Sequence, residues 1–415
     1  MAPLLPRPKD CRLPQGWMIA IYAIVLVWAG FEVLRALGRV DAVVFTGYVQ
    51  VGEAVLQHKS PYGGGLALIN TWPPFFLFVA TGLALLARLS LLGTLLAWQV
   101  VGVWSIWWVL QLCARFYLDD ATPSFWPRSA ERLAFVSTGI LVPFAMSARL
   151  FQEHAQHTQI NVQVLALVLL AFHLFRRGRP ALGGFSLALA TSIKAVPILF
   201  LIYLLYKRAW RETIWVVAFL LFLDVVLPAA VFGPDAALSH WRQWRHVTDV
   251  QVAGVWTAHH FNQSLLAALK RLSPATGRVL FYAIAGGAAL ALAWAFRSHP
   301  RDLADPIIPI ELAICLGAAV VVDPLAWKAH YVTLVAAYMY AWRELRAPAP
   351  RWRWVLWWGS FACLTLSASF IVGTRVSDWL ETWNVILLGA LLVLALALSL
   401  MPRSRPLPSR SAAPS

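Results

Sequence analysis

Charged and amide side chains interrupt this chain at a few positions between long apolar runs. Asp41 directly follows the first apolar run, and Lys194 stands in the middle of another. Ionisable groups in such places are costly unless they face water or a partner, so their grouping indicates a functional site. The polar positions that we consider are Asp41, Tyr48, Glu53, Lys59 and Tyr62; His154, His157, Gln159 and Asn161; Lys194; His259, His260, Asn262 and Gln263; and Lys328 and His330.

The mixture of several cations with one or two carboxylates suits an anionic head group at a bilayer surface, such as a lipid-linked phosphate. A nucleotide would require a glycine-rich phosphate loop, and the sequence has none. His154 and His157 have an i, i+3 spacing but no evident third metal ligand, and the four cysteines show no disulfide or metal spacing. We therefore predict neither a metal site nor a cofactor.

The composition determines the class of protein that must position these residues. The 415 residues are 60% hydrophobic and only 13% charged, values that soluble globular domains do not reach. Many runs approach the roughly 20 apolar residues that a membrane-spanning helix needs. Short loops rich in Arg, Pro and Gly separate these runs, which favours helices over a barrel. We predict an all-α, polytopic membrane protein.

The positive charge of the chain indicates membrane orientation and not binding of nucleic acid. The 34 basic and 19 acidic residues give a net charge of +15, and the basic residues form short clusters between apolar runs. Membrane lipid is therefore the expected partner. The clusters are Arg7, Lys9 and Arg12; Arg176, Arg177 and Arg179; Lys207, Arg208 and Arg211; Arg343, Arg346, Arg351 and Arg353; and Arg403, Arg405 and Arg410.

Cytoplasmic basic clusters place Asp41 on the outside of the membrane. Gly16 to Leu37 is then a retained first helix that runs outward, because no small-residue cleavage site follows it. The external loop after Asp41 contains an amphipathic helix, which we predict from an apolar face opposite a polar face. The apolar face consists of Val44, Tyr48, Val51 and Val55.

Two apolar runs follow this loop. Because Asp41 is predicted outside and Arg115 inside, only one crossing is expected between them. The two runs are Trp72 to Leu89 and Leu91 to Ala114. Pro73 and Pro74 break the start of the first run, so we expect that run not to cross fully. The alternative is that both runs cross and that the positive-inside rule fails at Arg115.

The run from Ala181 to Tyr206 has basic clusters at both ends, which demands two crossings from too few residues. Lys194 and Pro197 lie at its middle. We predict two short or tilted helices that meet at a polar apex, which is tolerated where a broken helix lines a cavity. Continuing along the chain gives about twelve crossings in one domain, residues 1–401, and a disordered cytoplasmic tail, residues 402–415.

Several short motifs follow one another between about Gly16 and Trp342, after Asp41 and Tyr48. They are "SPY" at 60–62, "WPP" at 72–74, "TQIN" at 158–161, "KAVP" at 194–197, "FNQSL" at 261–265 and "WKAHY" at 327–331. In this order they resemble the bacterial polyprenol-phosphate-mannose-dependent mannosyltransferases of the GT-C class.

The resemblance implies a hexosyltransferase with a GT-C type fold in the bacterial inner membrane. Such an enzyme transfers a sugar, here expected to be mannose, from a polyprenyl-phosphate donor to a hydroxyl of a lipid or glycan acceptor. Transfer takes place on the periplasmic face with inversion at the anomeric carbon. The family's catalytic base matches Asp41, and a histidine that lines the family's site matches His330.

The sequence departs from the family pattern at two positions. Thr158 stands where the family usually has a glycine before its glutamine, which weakens any role for Gln159. Ala42 follows Asp41 where many GT-C enzymes carry a second acidic residue, so Asp41 would act alone.

The reaction itself gives these residue types their expected roles. Breaking a glycosyl-phosphate bond builds positive charge on the sugar and negative charge on the leaving phosphate. Asp41 is the expected base that receives the acceptor's hydroxyl proton. Cations are expected to hold the phosphate. The predicted substrate-binding residues are Lys194, Lys328 and His330, assisted by Asn262 and Gln263, together with Tyr62.

Two other functions use the same polar residues. A transporter or flippase for a lipid-linked or small anionic solute would hold similar cations in its cavity, but it would show matching halves, and we find no internal repeat. A non-catalytic subunit that binds lipid phosphate is the third possibility.

Overall fold

The computed structural model describes Phe31 and residues 44–63, 66, 69–118, 138–254, 257, 259–345 and 349–402. The regular elements among these residues are all helices, which confirms the prediction of an all-α protein. Asp41 lies outside the described residues, as do the tail from Arg403 onward and the predicted first helix apart from Phe31.

The helices are numbered here in chain order among the described residues. They are α1 (Val44–Leu56), α2 (Phe76–Leu89), α3 (Leu91–Tyr117), α4 (Thr138–Met146), α5 (Ala148–Gln156), α6 (Asn161–Arg176), α7 (Pro180–Ile193), α8 (Leu199–Lys207), α9 (Trp210–Leu221), α10 (Leu227–Phe232), α11 (Pro234–Ala253), α12 (Leu265–Leu272), α13 (Gly277–Phe296), α14 (Ile308–Val322), α15 (Leu334–Glu344), α16 (Arg351–Phe361), α17 (Ser369–Val372), α18 (Thr374–Thr382) and α19 (Val385–Leu400).

Three helical segments in the described part of the chain are long and apolar enough to cross a membrane. They are Leu91–Tyr117, Trp210–Phe232 and Gly277–Phe296. A fourth span results if α18 and α19, which are bent by 64° at a short break, are counted as one. The protein is therefore a membrane protein. The figure of about twelve crossings stays a prediction, because several other apolar helices are shorter.

The predicted amphipathic helix after Asp41 is confirmed as α1. Its apolar face packs against α2 and the segment before it, where Tyr48 contacts the rings of Phe76 and Trp72 at centroid distances of 5.0 and 4.8 Å. Gly52 permits this close approach, because a Cβ atom there would overlap the backbone of Ala80. Helix α2 has 14 residues and is about 21 Å long, shorter than the ~30 Å hydrocarbon core.

The predicted break at Lys194 is also confirmed. Helix α7 ends at Ile193, and Lys194 is extended with φ −146° and ψ 122°. A short 3₁₀ turn, Val196–Ile198, then leads into α8. The helical run is thus interrupted at a lysine, and a break that frees backbone polar groups is expected where the segment lines a cavity.

The centre of the bundle is formed by α14 and α15, which are buried along most of their length. In contrast, α13 is exposed over most of its surface and is one of the helices suited to a lipid environment. The turn between α14 and α15 starts at Asp323 and includes the 3₁₀ segment Lys328–Thr333. This turn is therefore held at both ends by rigid, buried helices.

Candidate active site

A cavity of about 720 Å³ opens where the break at Lys194 meets the turn between α14 and α15. Its lining combines a polar group with an aromatic and aliphatic wall. The polar side chains include Tyr48, Gln159, Asn161, Lys194, Asp323 and His330. The larger apolar ones include Trp72, Val196, Ile198, Leu199, Trp244 and Trp327.

The ammonium group of Lys194 is oriented by the start of α6. Its Nζ donates a hydrogen bond of 2.6 Å to Oδ1 of Asn161, and the amide of Asn161 donates in turn to Gln159. An ammonium has three N–H groups, and Asn161 accepts from one of them among the described residues, so two others can donate to a ligand in the cavity. The sequence predicted no function for Asn161 beyond its place in the "TQIN" motif.

The first residue of α6 lies at the cavity together with Gln159 and Ile160. The first-turn N–H groups of a helix have no acceptors within that helix and carry a partial positive charge. This helix terminus and the Lys194 ammonium therefore act on the same part of the cavity, and both favour an anion.

Asp323 and His330 form the second polar group of the cavity. Oδ2 of Asp323 lies 3.3 Å from Nδ1 of His330, and its Oδ1 accepts a 3.1 Å hydrogen bond from the N–H of Leu325. Burial would raise the pKa of Asp323, but His330 and Lys194 together hold it below its usual range. Burial and the Lys194 charge lower the pKa of His330 to about 4, although Asp323 opposes this shift.

The other predicted substrate-binding residues lie outside this cavity. Tyr62 is buried, and its hydroxyl donates to the carbonyl oxygen of Trp72 at 3.0 Å. It thereby fixes the segment that carries Trp72, which does line the cavity.

Asn262 and Gln263 also act on the backbone of neighbouring segments. The Asn262 amide donates to the carbonyl oxygen of Pro324 at 2.9 Å. The Gln263 amide donates to the carbonyl oxygen of Glu381 at 2.8 Å and accepts from the N–H of Ile386 at 3.2 Å. Hydrogen bonds from Asn262 therefore stabilise the turn that begins at Asp323, and those of Gln263 stabilise the bend between α18 and α19.

Lys328 lies between two carboxylates. Its Nζ is 3.1 Å from Oε1 of Glu153 and 3.0 Å from Oε1 of Glu381. Arg149 reaches the same Glu381 oxygen at 2.6 Å, and both of these side chains are almost completely buried. This ion-pair network connects α5 and α18 to the turn that carries His330. Arg149, to which the sequence analysis gave no role, is therefore part of the scaffold of the site.

We expect the Glu381→Gln substitution to destabilise the protein by about 3–5 kcal/mol, because it leaves Arg149 and Lys328 short of a buried counter-charge. The thermal unfolding midpoint in detergent should fall clearly below that of wild type. The control is Glu53→Gln, since Glu53 pairs with Arg88 where both side chains are partly exposed. An unchanged midpoint for Glu381→Gln would show that the network contributes no stability.

Asp323, which lines the cavity, and Thr158, which directly precedes the lining residue Gln159, carry weak sequence signals. Asp323 precedes a proline at the end of a helix, where an aspartate commonly forms a turn, and nothing local indicates that His330 lies beside it. Thr158 has a left-handed backbone with φ 50°, a conformation that favours the glycine of the family pattern. Its side chain accepts from the N–H of Phe45, and its carbonyl oxygen accepts from the Trp98 indole. Thr158 thus ties α1 and α3 to the cavity edge.

Asp41 precedes α1 by three positions, and Val44, the first residue of α1, lines the cavity. Among the described residues that line the cavity, Asp323 supplies the carboxylate.

Comparisons with known proteins identify the family of the chain. The chain is 27% identical over 335 residues to a polyprenol-phosphate-mannose-dependent alpha-(1-2)-phosphatidylinositol mannoside mannosyltransferase of Mycolicibacterium smegmatis, covering 75% of this chain and 71% of that protein. It is 25% identical over 334 residues to the protein of the same name from Mycobacterium tuberculosis, covering 77% and 74%. No solved structure matches the chain. The profile of glycosyltransferase family 87 matches residues 70–322, so this chain belongs to that family and is a glycosyltransferase.

Proposed function

We propose that this glycosyltransferase transfers a hexose, with mannose as the expected sugar, from a polyprenyl-phosphate donor to a hydroxyl of a lipid or glycan acceptor. The names of both relatives include dependence on polyprenol-phosphate-mannose and action on a phosphatidylinositol mannoside, which supports this donor and this kind of acceptor. The observation that carries the proposal is the meeting of Lys194 and the start of α6 at one cavity.

The phosphate of the donor is placed at Lys194. A phosphate diester with a lipid and a sugar keeps one negative charge, which a lysine ammonium and a helix N-terminus both stabilise. The leaving group gains negative charge as the glycosidic bond breaks, so these groups bind the transition state more strongly than the ground state. Charge stabilisation of this kind supports catalysis as well as binding.

The lipid part of the donor is placed along the apolar residues that follow Lys194. Val196, Ile198 and Leu199 line the same cavity, and the Ile198 side chain is exposed. A cation followed by an apolar wall matches an amphiphile with a phosphate at one end. Each CH₂ group that leaves water against such a wall contributes about 0.8 kcal/mol, so the lipid chain adds substantially to donor affinity.

Asp41 is the proposed general base, on the periplasmic side of the inner membrane. It removes the proton from the acceptor hydroxyl while that oxygen attacks the anomeric carbon opposite the phosphate. A single displacement of this kind inverts the anomeric configuration. The proposal is supported by the family resemblance and by the position of Val44, three residues after Asp41, at the cavity wall.

The test is to incubate the purified protein with labelled polyprenyl-phosphate-mannose and a phosphatidylinositol mannoside, and to identify the lipid product by mass spectrometry. Polyprenyl-phosphate-glucose and a nucleotide-linked mannose serve as comparison donors. We expect a product from the first donor only, with the anomeric configuration opposite to that of the donor. A product formed only from the nucleotide-linked sugar, or one with retained configuration, would contradict the proposal.

A further inference from the structure

The contact between Asp323 and His330 indicates which ring nitrogen of His330 carries the proton. An ionised carboxylate accepts hydrogen bonds and cannot donate them. A ring nitrogen that faces it is therefore expected to carry a proton. Nδ1 of His330 is buried without a hydrogen bond of standard geometry to a described residue, and Oδ2 of Asp323 lies 3.3 Å from it. In a neutral imidazole with a proton on Nδ1, the Nε2 atom has a free lone pair and is an acceptor.

We propose that Asp323 is a positioning residue that holds His330 in the neutral tautomer protonated at Nδ1, so that Nε2 accepts a hydrogen bond from a substrate hydroxyl. The nature of that hydroxyl, on the sugar or on its acceptor, rests on the proposed function. The tautomer itself does not depend on the proposed function.

The charges around the ring favour this assignment. Lys194 lies close enough to act on the charge states of both His330 and Asp323, and His154 is a further ring in the same field. A positive His330 would add a second cation beside the Lys194 ammonium in a buried place, whereas a neutral ring avoids that repulsion. The lowered pKa of His330, about 4, agrees with a neutral ring at neutral pH.

The assignment changes the part of the substrate that His330 contacts. A neutral ring with its lone pair at Nε2 cannot donate to a phosphate oxygen, but it can accept from an O–H group. The phosphate is therefore left to Lys194 and the start of α6, and His330 is assigned to the hydroxyl-bearing part of the substrate. The two polar groups of the cavity therefore differ in what they bind: Lys194 and the start of α6 bind an anion, and His330 accepts from a hydroxyl.

Asp323 is suitably held for a positioning role. It directly follows α14, its second carboxylate oxygen accepts from the N–H of Leu325, and its side chain is nearly buried. The next residue, Pro324, accepts hydrogen bonds from the side chains of Asn262 and Ser264 through its carbonyl oxygen. The carboxylate thus has little freedom to turn away from His330.

The test is the Asp323→Asn substitution. Asparagine keeps the shape and can still accept from the N–H of Leu325 through Oδ1, so the turn should fold. Its amide presents N–H groups to Nδ1 of His330, which favours the opposite tautomer with the proton on Nε2. We expect kcat to fall by about 10–100-fold, the range found when a residue that orients a metal-ligating histidine is removed.

A spectroscopic readout separates this effect from a general loss of structure. In protein with ¹⁵N-labelled histidine, the side-chain signals of His330 are identified by their absence from a His330→Gln variant. Wild type at neutral pH and without substrate should show a protonated Nδ1 and an unprotonated Nε2. Asp323→Asn should shift the signals toward the Nε2-protonated form. The matched control is Asp305→Asn, because Asp305 accepts from the N–H of Ile307 in the same way at the other end of α14.

The outcomes distinguish this inference from the proposed function. A charged or Nε2-protonated His330 in wild type, or unchanged His330 signals and rate in Asp323→Asn, would overturn the role of Asp323. If the wild-type protein shows the expected tautomer but does not use polyprenyl-phosphate-mannose, the role of Asp323 is supported. Only the proposed donor is then contradicted. Equal losses of kcat in Asp323→Asn and Asp305→Asn would also overturn the inference, since they would indicate a structural effect.

Discussion

Replacing Asp41 with asparagine is expected to lower the rate of sugar transfer by about 10²–10⁴-fold, the range that a well-placed general base contributes. Asparagine has almost the same shape as aspartate but does not accept the proton of an attacking hydroxyl. The loss should therefore appear mainly in kcat, while binding of the uncleaved donor changes little. The measurement is the rate of product formation by purified protein at saturating concentrations of polyprenyl-phosphate-mannose and acceptor.

The matched control for this experiment is Asp249→Asn. Asp249 is an exposed carboxylate on α11, 3.9 Å from Arg245, and its neutralisation should leave the rate unchanged. Equal protein yield and equal elution from size exclusion would show that neither variant is misfolded. An Asp41→Asn protein with a rate within about twofold of wild type would remove Asp41 from the mechanism.

Replacing Lys194 with methionine should weaken binding of the donor. Removing one member of a buried, hydrogen-bonded charge pair costs about 2–5 kcal/mol, which corresponds to an affinity loss of roughly 30-fold or more. Methionine keeps most of the apolar length of the side chain but has no charge to stabilise the phosphate. The donor KM should rise accordingly, while the acceptor KM stays near the wild-type value.

Two comparisons sharpen the Lys194 experiment. Lys59→Met removes an exposed lysine and should leave both Michaelis constants unchanged. Asn161→Ala removes the acceptor that orients Lys194 and should raise the donor KM by less than Lys194→Met does. If the donor KM of Lys194→Met equals that of wild type, the lysine is structural and the phosphate must bind elsewhere.

The features that the sequence predicted well are those with a local physical signal. Helix α1 follows from the 3.6-residue period of its apolar face, and the break at Lys194 follows from a charge in the middle of an apolar run. The meeting of Lys194 and His330 at one cavity was expected from topology and from the family resemblance. The pattern of basic clusters relates loops that are far apart in the sequence, because it predicts which loops lie on the same side of the membrane.

The features that the sequence did not predict depend on pairing between distant segments. Lys328 was expected to hold phosphate, but its ammonium lies between Glu153 and Glu381, on two other helices. The side-chain amides of Asn262 and Gln263 donate their hydrogen bonds to backbone carbonyl oxygens of neighbouring segments. Sequence position shows that a polar residue needs a partner but not which one, since the partner is decided by tertiary packing. Asp323 was missed for the same reason.

The network around Glu381 has a consequence for the order in which the enzyme is made. Glu381 follows Arg149 by 232 positions and Lys328 by 53, so the ion-pair network that holds the His330 turn is complete only after α18 has been synthesised. A chain that ends before that point contains Lys194 and Asn161, but not the complete ion-pair network. The support of the His330 turn therefore depends on the part of the chain that is synthesised last.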